Sequence, residues 1–194
     1  PDFSIDGGLF SGSVNLSLSS DLNDFNIYYS LDGSDPTSES LLYTNEIQIL
    51  ETTVIKASII SNNCYSTSFK TQTYLINEAA NLPIISLSTD PENLWNNDTG
   101  IYVLGDNASD DIPFFGANFW EDWEKPSHIE FFESDGSLGF SLDVGIKIFG
   151  GWSRANAQKS LAIFARSEYG SNKIEYKIFP EKNIESFKSI VLRN

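Results

Sequence analysis

Hydrophobic residues recur at every second position in segment after segment of this chain. That period builds half-buried strands and is incompatible with amphipathic helices as the main element. Val14, Leu16 and Leu18 alternate with polar residues, as do Ile47 and Ile49, Ile129 and Phe131, Ile146 and Ile148, and Ile174, Tyr176 and Ile178. Between them lie turn formers: Asp6-Gly7-Gly8, Asp32-Gly33-Ser34, Asn62-Asn63, Ser134-Asp135-Gly136 and Tyr169-Gly170-Ser171. Helical signals are confined to two short stretches. Asp90 followed by Pro91 places an N-cap and a first-turn proline before residues 91–95, and residues 184–188 predict a second turn. The expected fold class is mostly β, with antiparallel strands.

The strand pattern stops at Ile76, the segment 77–81 has no period, and Pro83 reopens a strand over 84–87. A boundary is therefore expected between 77 and 82. Residues 1–77 hold roughly six or seven short strands, a spacing that suits a small two-sheet sandwich. Residues 82–194 carry longer strands interrupted by an irregular acidic stretch at 105–124.

Charge narrows the partners. The chain has 27 acidic and 12 basic residues, net −15, and such a surface repels nucleic acid. The distribution is uneven: net −7 over 1–77, −13 over 78–145 and +5 over 146–194. Either the basic island docks on the acidic segments, or it receives an anion such as phosphate. No apolar run approaches the roughly 18 residues needed to span a bilayer. The absence of methionine and of a signal peptide predicts a processed chain or an excised piece. Cys64 and His128 are the only residues of their kinds, so an intrachain disulfide, a thiolate zinc site and a multi-histidine metal site are excluded.

The stretch IYYSLDGSDPTSESLLYTNEIQI begins at Ile27 and is the most distinctive in the first half. Asp32-Gly33 and Asp35-Pro36-Thr37 each read as a tight turn with side chains able to bond nearby amides. Asp32, Ser34 and Asp35 would also suit calcium, but no run of alternating ligands follows, and a structural turn is the better account. With Tyr28, Tyr29, Asp32, Gly33, Ser34, Pro36, Thr37, Ser40, Tyr43 and the strand TVIKA from Thr53, residues 3–77 resemble the Ig-like domain appended to chitobiases and hexosaminidases. Similar modules are called fibronectin-III-associated. The resemblance implies a fold and an accessory role in secreted bacterial proteins, not a reaction.

The second half resembles another family on four segments: LPIISLSTDPENLWNNDTGIYV from Leu82, NFWEDWEKPSHIEFFESDG from Asn118, FGGWSRANAQKSLAIFAR from Phe149 and FKSIVLRN from Phe187. Together they are similar to the front part of the spore-coat CotH family of atypical secretory protein kinases, with Lys125 where arginine is usual. The resemblance implies that the family's acidic metal-binding and catalytic residues lie beyond Asn194. ATP and Mg would then belong to a full-length parent, the remainder of that domain would be this chain's partner, and the 194 residues alone would show no phosphotransfer.

The glycine hairpin can be read without the family. A strand ends at Phe149, Gly150 and Gly151 allow a tight turn and close approach to a ligand, and Arg154, Lys159 and Arg166 supply positive charge. Lys159 opens the returning strand, so Gly150, Gly151, Arg154 and Lys159 are the candidate nucleotide-gripping residues. Lys159 is expected to point toward the Gly150–Gly151 loop and into a basic concavity, and because water and salt screen an exposed lysine, a phosphate site would need Arg154, Arg166 or backbone N–H groups to converge on the same point. The alternative is an ordinary hairpin with solvated basic residues. Phe114, Phe115, Phe119, Trp120 and Trp123 could stack on sugars or cover a core. Asp106, Asp110 and Asp111 read as a calcium loop or a solvated acidic loop. His128 has no nucleophile nearby in sequence and reads as structural. Asn15, Asn97 and Asn107 sit in N-glycosylation sequons.

Two functions follow as expectations, both extracellular or at the cell surface. In one, the chain is an accessory module plus the nucleotide-gripping half of an atypical kinase. In the other, it is a non-catalytic module attaching to glycan, cell wall or a protein partner. No catalytic residue and no metal ligand is assigned in this chain itself.

Overall fold

The computed structural model describes residues 1–22, 24–61, 64–79 and 81–194, with the backbone alone at 61 and 64–68. The Asn62-Asn63 turn lies outside the described residues. The described chain is mostly β, as its alternation requires. It divides into two compact units, residues 1–88 with 130–139 and residues 89–129 with 140–194.

The first unit contains β1 (Asp2–Phe3), β2 (Gly8–Phe10), β3 (Val14–Leu16), β4 (Leu18–Ser19), β5 (Asn26–Ser30), β6 (Leu41–Leu42), β7 (Ile47–Ile49), β8 (Thr53–Ser61), β9 (Cys64–Ile76) and β10 (Ile84–Ser88). One sheet has the order β2-β9-β8-β5-β6; β1 pairs with β4 and β3 with β7. All these pairings are antiparallel except β2 against β9, where Gly8 faces Tyr74 and Phe10 faces Ile76. The alternating residues point where period two sends them. Ile27, Ile55, Ala57, Tyr74 and Ile76 from the large sheet meet Phe3, Val14, Leu16, Leu18 and Ile49 from the small pairs in one apolar core. This is an Ig-like β-sandwich. Each fully buried leucine or isoleucine stabilises it by roughly 1.5–3 kcal/mol relative to exposure. Tyr74 is buried, and its hydroxyl donates to the Ile5 carbonyl at 2.7 Å. Burial raises the phenol's pKa above its ordinary value.

The second unit begins with the one-turn helix α1 (Pro91–Trp95), where the Glu92 N–H donates to Asp90 Oδ1 at 2.8 Å, the cap that the sequence predicts. It continues through β11 (Lys125–Phe132), β12 (Leu138–Phe149), β13 (Ser160–Phe164) and β14 (Ser189–Leu192). Within this unit the strand order is β12-β13-β14. Antiparallel registers set Ile146 opposite Ile163 and Ile163 opposite Ile190.

Three expectations fail locally. β11 does not alternate at its end: residues 129–132 are all buried, Glu130 included, as happens where both faces of a strand are covered. The strand expected over Ile174, Tyr176 and Ile178 is a single bridge between Ile174 and Phe187, because the chain turns away at Phe179, whose carbonyl accepts from the Lys182 N–H at 3.0 Å. That bridge holds Phe187 extended, so residues 184–188 form no helical turn.

Candidate binding site

β12 ends at Phe149, and Gly150 follows with φ of +123°. A Cβ there would lie 2.5 Å from Ser153 Oγ, so both backbone and space require glycine. Gly151 has open space around it and no positive φ. Residues Trp152–Ala155 then make one 3-10 turn, closed by the Arg154 N–H on the Gly151 carbonyl at 3.0 Å and the Asn156 N–H on the Ser153 carbonyl at 3.1 Å.

The two cations of this loop are engaged within it. Arg154 Nε donates to the Gly150 carbonyl at 2.7 Å, and Nη1 lies 3.3 Å from the carbonyls of both Phe119 and Trp120. Its guanidinium also lies 5.7 Å from the centre of the Trp120 ring. Lys159 is only 9% exposed, and Nζ donates to the carbonyls of Arg154 at 2.7 Å and Asn156 at 2.9 Å. The ammonium lies 4.1 Å from the Phe119 ring centre and 5.3 Å from that of Tyr102. A lysine capping the last carbonyls of a helical turn is a favourable use of its charge, and desolvation holds its pKa below the ordinary lysine value. Lys159 is therefore a largely buried side chain whose charge is spent on the carbonyls of its own loop. Gly150, Gly151, Arg154 and Lys159 do come together in one loop. Arg166 does not join them, since it makes a bidentate pair with Glu124 at 2.7 and 2.8 Å.

Beside the loop is a cavity of about 380 Å³ whose walls include Trp95, Tyr102, Leu104, Phe114, Phe119 and Lys159. Phe114 has φ of +61°, a left-handed conformation that costs a bulky residue roughly 1–2 kcal/mol. Its N–H on the Asp111 carbonyl at 2.7 Å and its own carbonyl under the Ala117 N–H at 3.0 Å hold it there. Such strain in a cavity wall is characteristic of binding sites. Trp95 packs edge-on to Tyr102 with centres 5.2 Å apart. Phe115 joins Trp120 at 5.2 Å and Trp152 at 6.4 Å, and Trp152 is 70% exposed. The aromatic run thus divides: Phe119 is core, Phe114 and Trp120 are half-buried, and Phe115 faces solvent.

Other sequence candidates fall elsewhere. Asp122 pairs with Lys147 and Glu124 with Arg166, so part of the basic island does dock on the acidic stretch. Gly145 makes room for Glu124, whose Oε1 would be 2.1 Å from any Cβ there. The Lys147 ammonium holds the Asp122 carboxyl below its usual range. Asp106 Oδ1 accepts from Asn97 Nδ2 at 2.7 Å. Asp32 Oδ1 accepts from the Ser34 hydroxyl at 2.6 Å and the Ser34 N–H at 3.0 Å, Gly33 supplies φ of +85°, and Asp35 pairs with Lys56. Among the described residues, no three acidic, histidine or cysteine side chains are arranged to hold a metal ion. The sequence could not reveal Tyr102 and Trp95 as cavity walls, because nothing in their spacing distinguishes them from core residues.

Residues 5–73 match the family profile of the chitobiase/beta-hexosaminidase C-terminal domain. The sandwich is similar to that domain. The match takes in the Asp32 turn and stops before the second unit, where it gives the CotH resemblance no support. No curated protein and no solved structure matches the chain. No helix among the described residues is long and apolar enough to cross a membrane.

Proposed function

We propose that the chain is an extracellular carbohydrate-binding module, with residues 1–77 as an accessory sandwich and the aromatic cavity of the second unit as the docking site for a glycan. The observation that carries this reading is the wall of the cavity. It is lined by the rings of Trp95, Tyr102 and Phe114, while its one ammonium, Lys159, is committed to carbonyls of its own loop. Sugar rings present C–H faces that stack on such aromatics, and a few polar groups at the rim suffice to orient them. The matched domain belongs, by its description, to chitobiases and beta-hexosaminidases, which accords with a carbohydrate context and an extracellular or cell-surface location. Electrophoresis through gels containing a soluble polysaccharide tests it. The wild-type chain should be retarded by at least one such polymer, and Trp95→Ala should migrate as in a blank gel. Absence of retardation across a panel of neutral and amino-sugar polymers would reject the reading.

A second reading, the nucleotide-gripping half of a kinase, has one observation in its favour: Arg154 bonds the Gly150 carbonyl and Lys159 in turn bonds the Arg154 carbonyl, so both cations lie in the segment that follows the glycines. The residues as arranged fit a nucleotide poorly. Lys159 must first release two carbonyls before its ammonium could meet a phosphate. ATP with Mg would have to be held largely by the downstream remainder of a longer protein. A rise in melting temperature of the 194-residue chain on adding ATP with Mg would favour this second reading.

A further inference from the structure

His128, isolated in sequence, acquires partners through the sheet. It lies on β11, and Ser141 and Asp143 lie two apart on the neighbouring strand β12, hence on the same face. His128 Nδ1 is 2.7 Å from Asp143 Oδ1, and Nε2 is 2.9 Å from Ser141 Oγ. A carboxylate can only accept, so Nδ1 carries the proton and donates to Asp143. In the neutral imidazole Nε2 is then an acceptor, and the Ser141 hydroxyl must donate to it. The hydroxyl proton therefore already points at the base that would remove it. The imidazole is only 13% exposed, which shields the base, whereas Ser141 is open to solvent. Elsewhere on this unit Lys147 is paired with Asp122 and Arg166 with Glu124.

We propose that Ser141, His128 and Asp143 form an acyl-transfer site for carboxylic esters with small acyl groups, separate from the aromatic cavity and independent of its ligand. Ser141 Oγ attacks the ester carbonyl carbon as its proton passes to His128 Nε2. The ester C–O bond breaks, and the departing alkoxide takes that proton. Water then attacks the acyl-serine by the same route, releasing the acid and restoring Ser141. Asp143 touches no reacting atom; it is a positioning residue that fixes the tautomer. β13 pairs with β12 only from Gly145 to Phe149, so its ladder does not reach Ser141. A nucleophile with its base supplies roughly 10²–10⁴-fold over the uncatalysed reaction. Esters with good leaving groups are therefore the ones to use.

The test is acetylation of the full chain by p-nitrophenyl acetate, followed by p-nitrophenolate release and by peptide mass spectrometry. The expected result is a stoichiometric burst with the acetyl group on Ser141. It should be absent in Ser141→Ala, slowed at least 100-fold in His128→Gln and at least tenfold in Asp143→Asn, and largely restored in Asp143→Glu. Ser141 is exposed, so Ser141→Ala remains informative even if the His128 variant fails to fold. Acetyl groups on lysines or the N-terminus alone, or an equal burst from Ser141→Ala, would overturn the proposal.

Discussion

The core of the sandwich joins Leu16, Ile55, Ala57 and Tyr74 from two layers of strands, and the buried cluster around them contains no charged side chain. The loop around Lys159 does the opposite: it draws an ammonium and a guanidinium inward and satisfies them with the carbonyls of Gly150, Phe119, Trp120, Arg154 and Asn156. Both regions obey the same rule, that what is buried must be apolar or hydrogen-bonded. They differ in how they fail. Cutting a side chain from the sandwich leaves a cavity, whereas cutting one from the loop leaves carbonyls without donors. The comparison also explains why a cation-rich loop need not be an anion site: its positive charge already serves its own backbone.

The largest effect should come from Ile55→Ala, since Ile55 has no exposed surface. A loss of roughly 2–5 kcal/mol is expected from lost transfer energy and the residual cavity, read from chemical denaturation. A loss under about 1 kcal/mol would mean that the sandwich is not close-packed. Next is Lys159→Met, which keeps the aliphatic stem but removes the ammonium from two partly buried carbonyls. It should cost about 1–3 kcal/mol. Its pH dependence has a definite sign. Burial lowers the folded pKa from the ordinary 10.5, so between the two values the unfolded chain binds more protons. The stability difference between wild type and Lys159→Met should thus grow in favour of wild type as pH rises through that alkaline window. A difference that is flat with pH would make Lys159 an ordinary exposed lysine.

Asp32→Ala should cost less, about 1 kcal/mol or below, because the turn it holds is exposed and water screens it. The Ser34 hydroxyl, then the Ser34 N–H, keep the Asp32 pKa under its ordinary 3.8. Its contribution should be complete above that value and vanish as pH falls through the lowered one. Melting curves of the two proteins should therefore converge in acid. The smallest effect belongs to Arg166→Gln, which breaks the pair with Glu124 at the surface. Any shift in midpoint should disappear near 1 M salt, where the Debye length is about 3 Å. A shift that survives salt would assign this pair a packing role.

Much of the sandwich was legible because its signals are local. Alternation at Val14, Leu16 and Leu18 and the Asp32-Gly33 turn each fix a conformation within a few residues. The Asp90 cap of α1 was legible for the same reason. The grouping of Gly150, Gly151, Arg154 and Lys159 could also be anticipated, since all four lie within ten residues of chain. What those residues do could not be read, because burial of Lys159 depends on Tyr102 and Phe119, distant in sequence. Ser141 and Asp143 meet His128 only through strand register, which sequence period does not specify. The single bridge at Ile174 shows the converse: an alternating run forms no strand when its partner is in reach at only one residue.

Glycan docking at the aromatic cavity is most directly tested by titrating the intact chain with soluble polysaccharide and following tryptophan fluorescence. Trp95 lines the cavity beside Tyr102 and Lys159, so its emission reports occupancy. A saturable change with polysaccharide that Trp95→Ala abolishes, and no change with ATP and Mg, is the predicted result. A saturable change with ATP and Mg that Lys159→Met abolishes, with none for any polysaccharide, would contradict the account and return the loop to nucleotide binding.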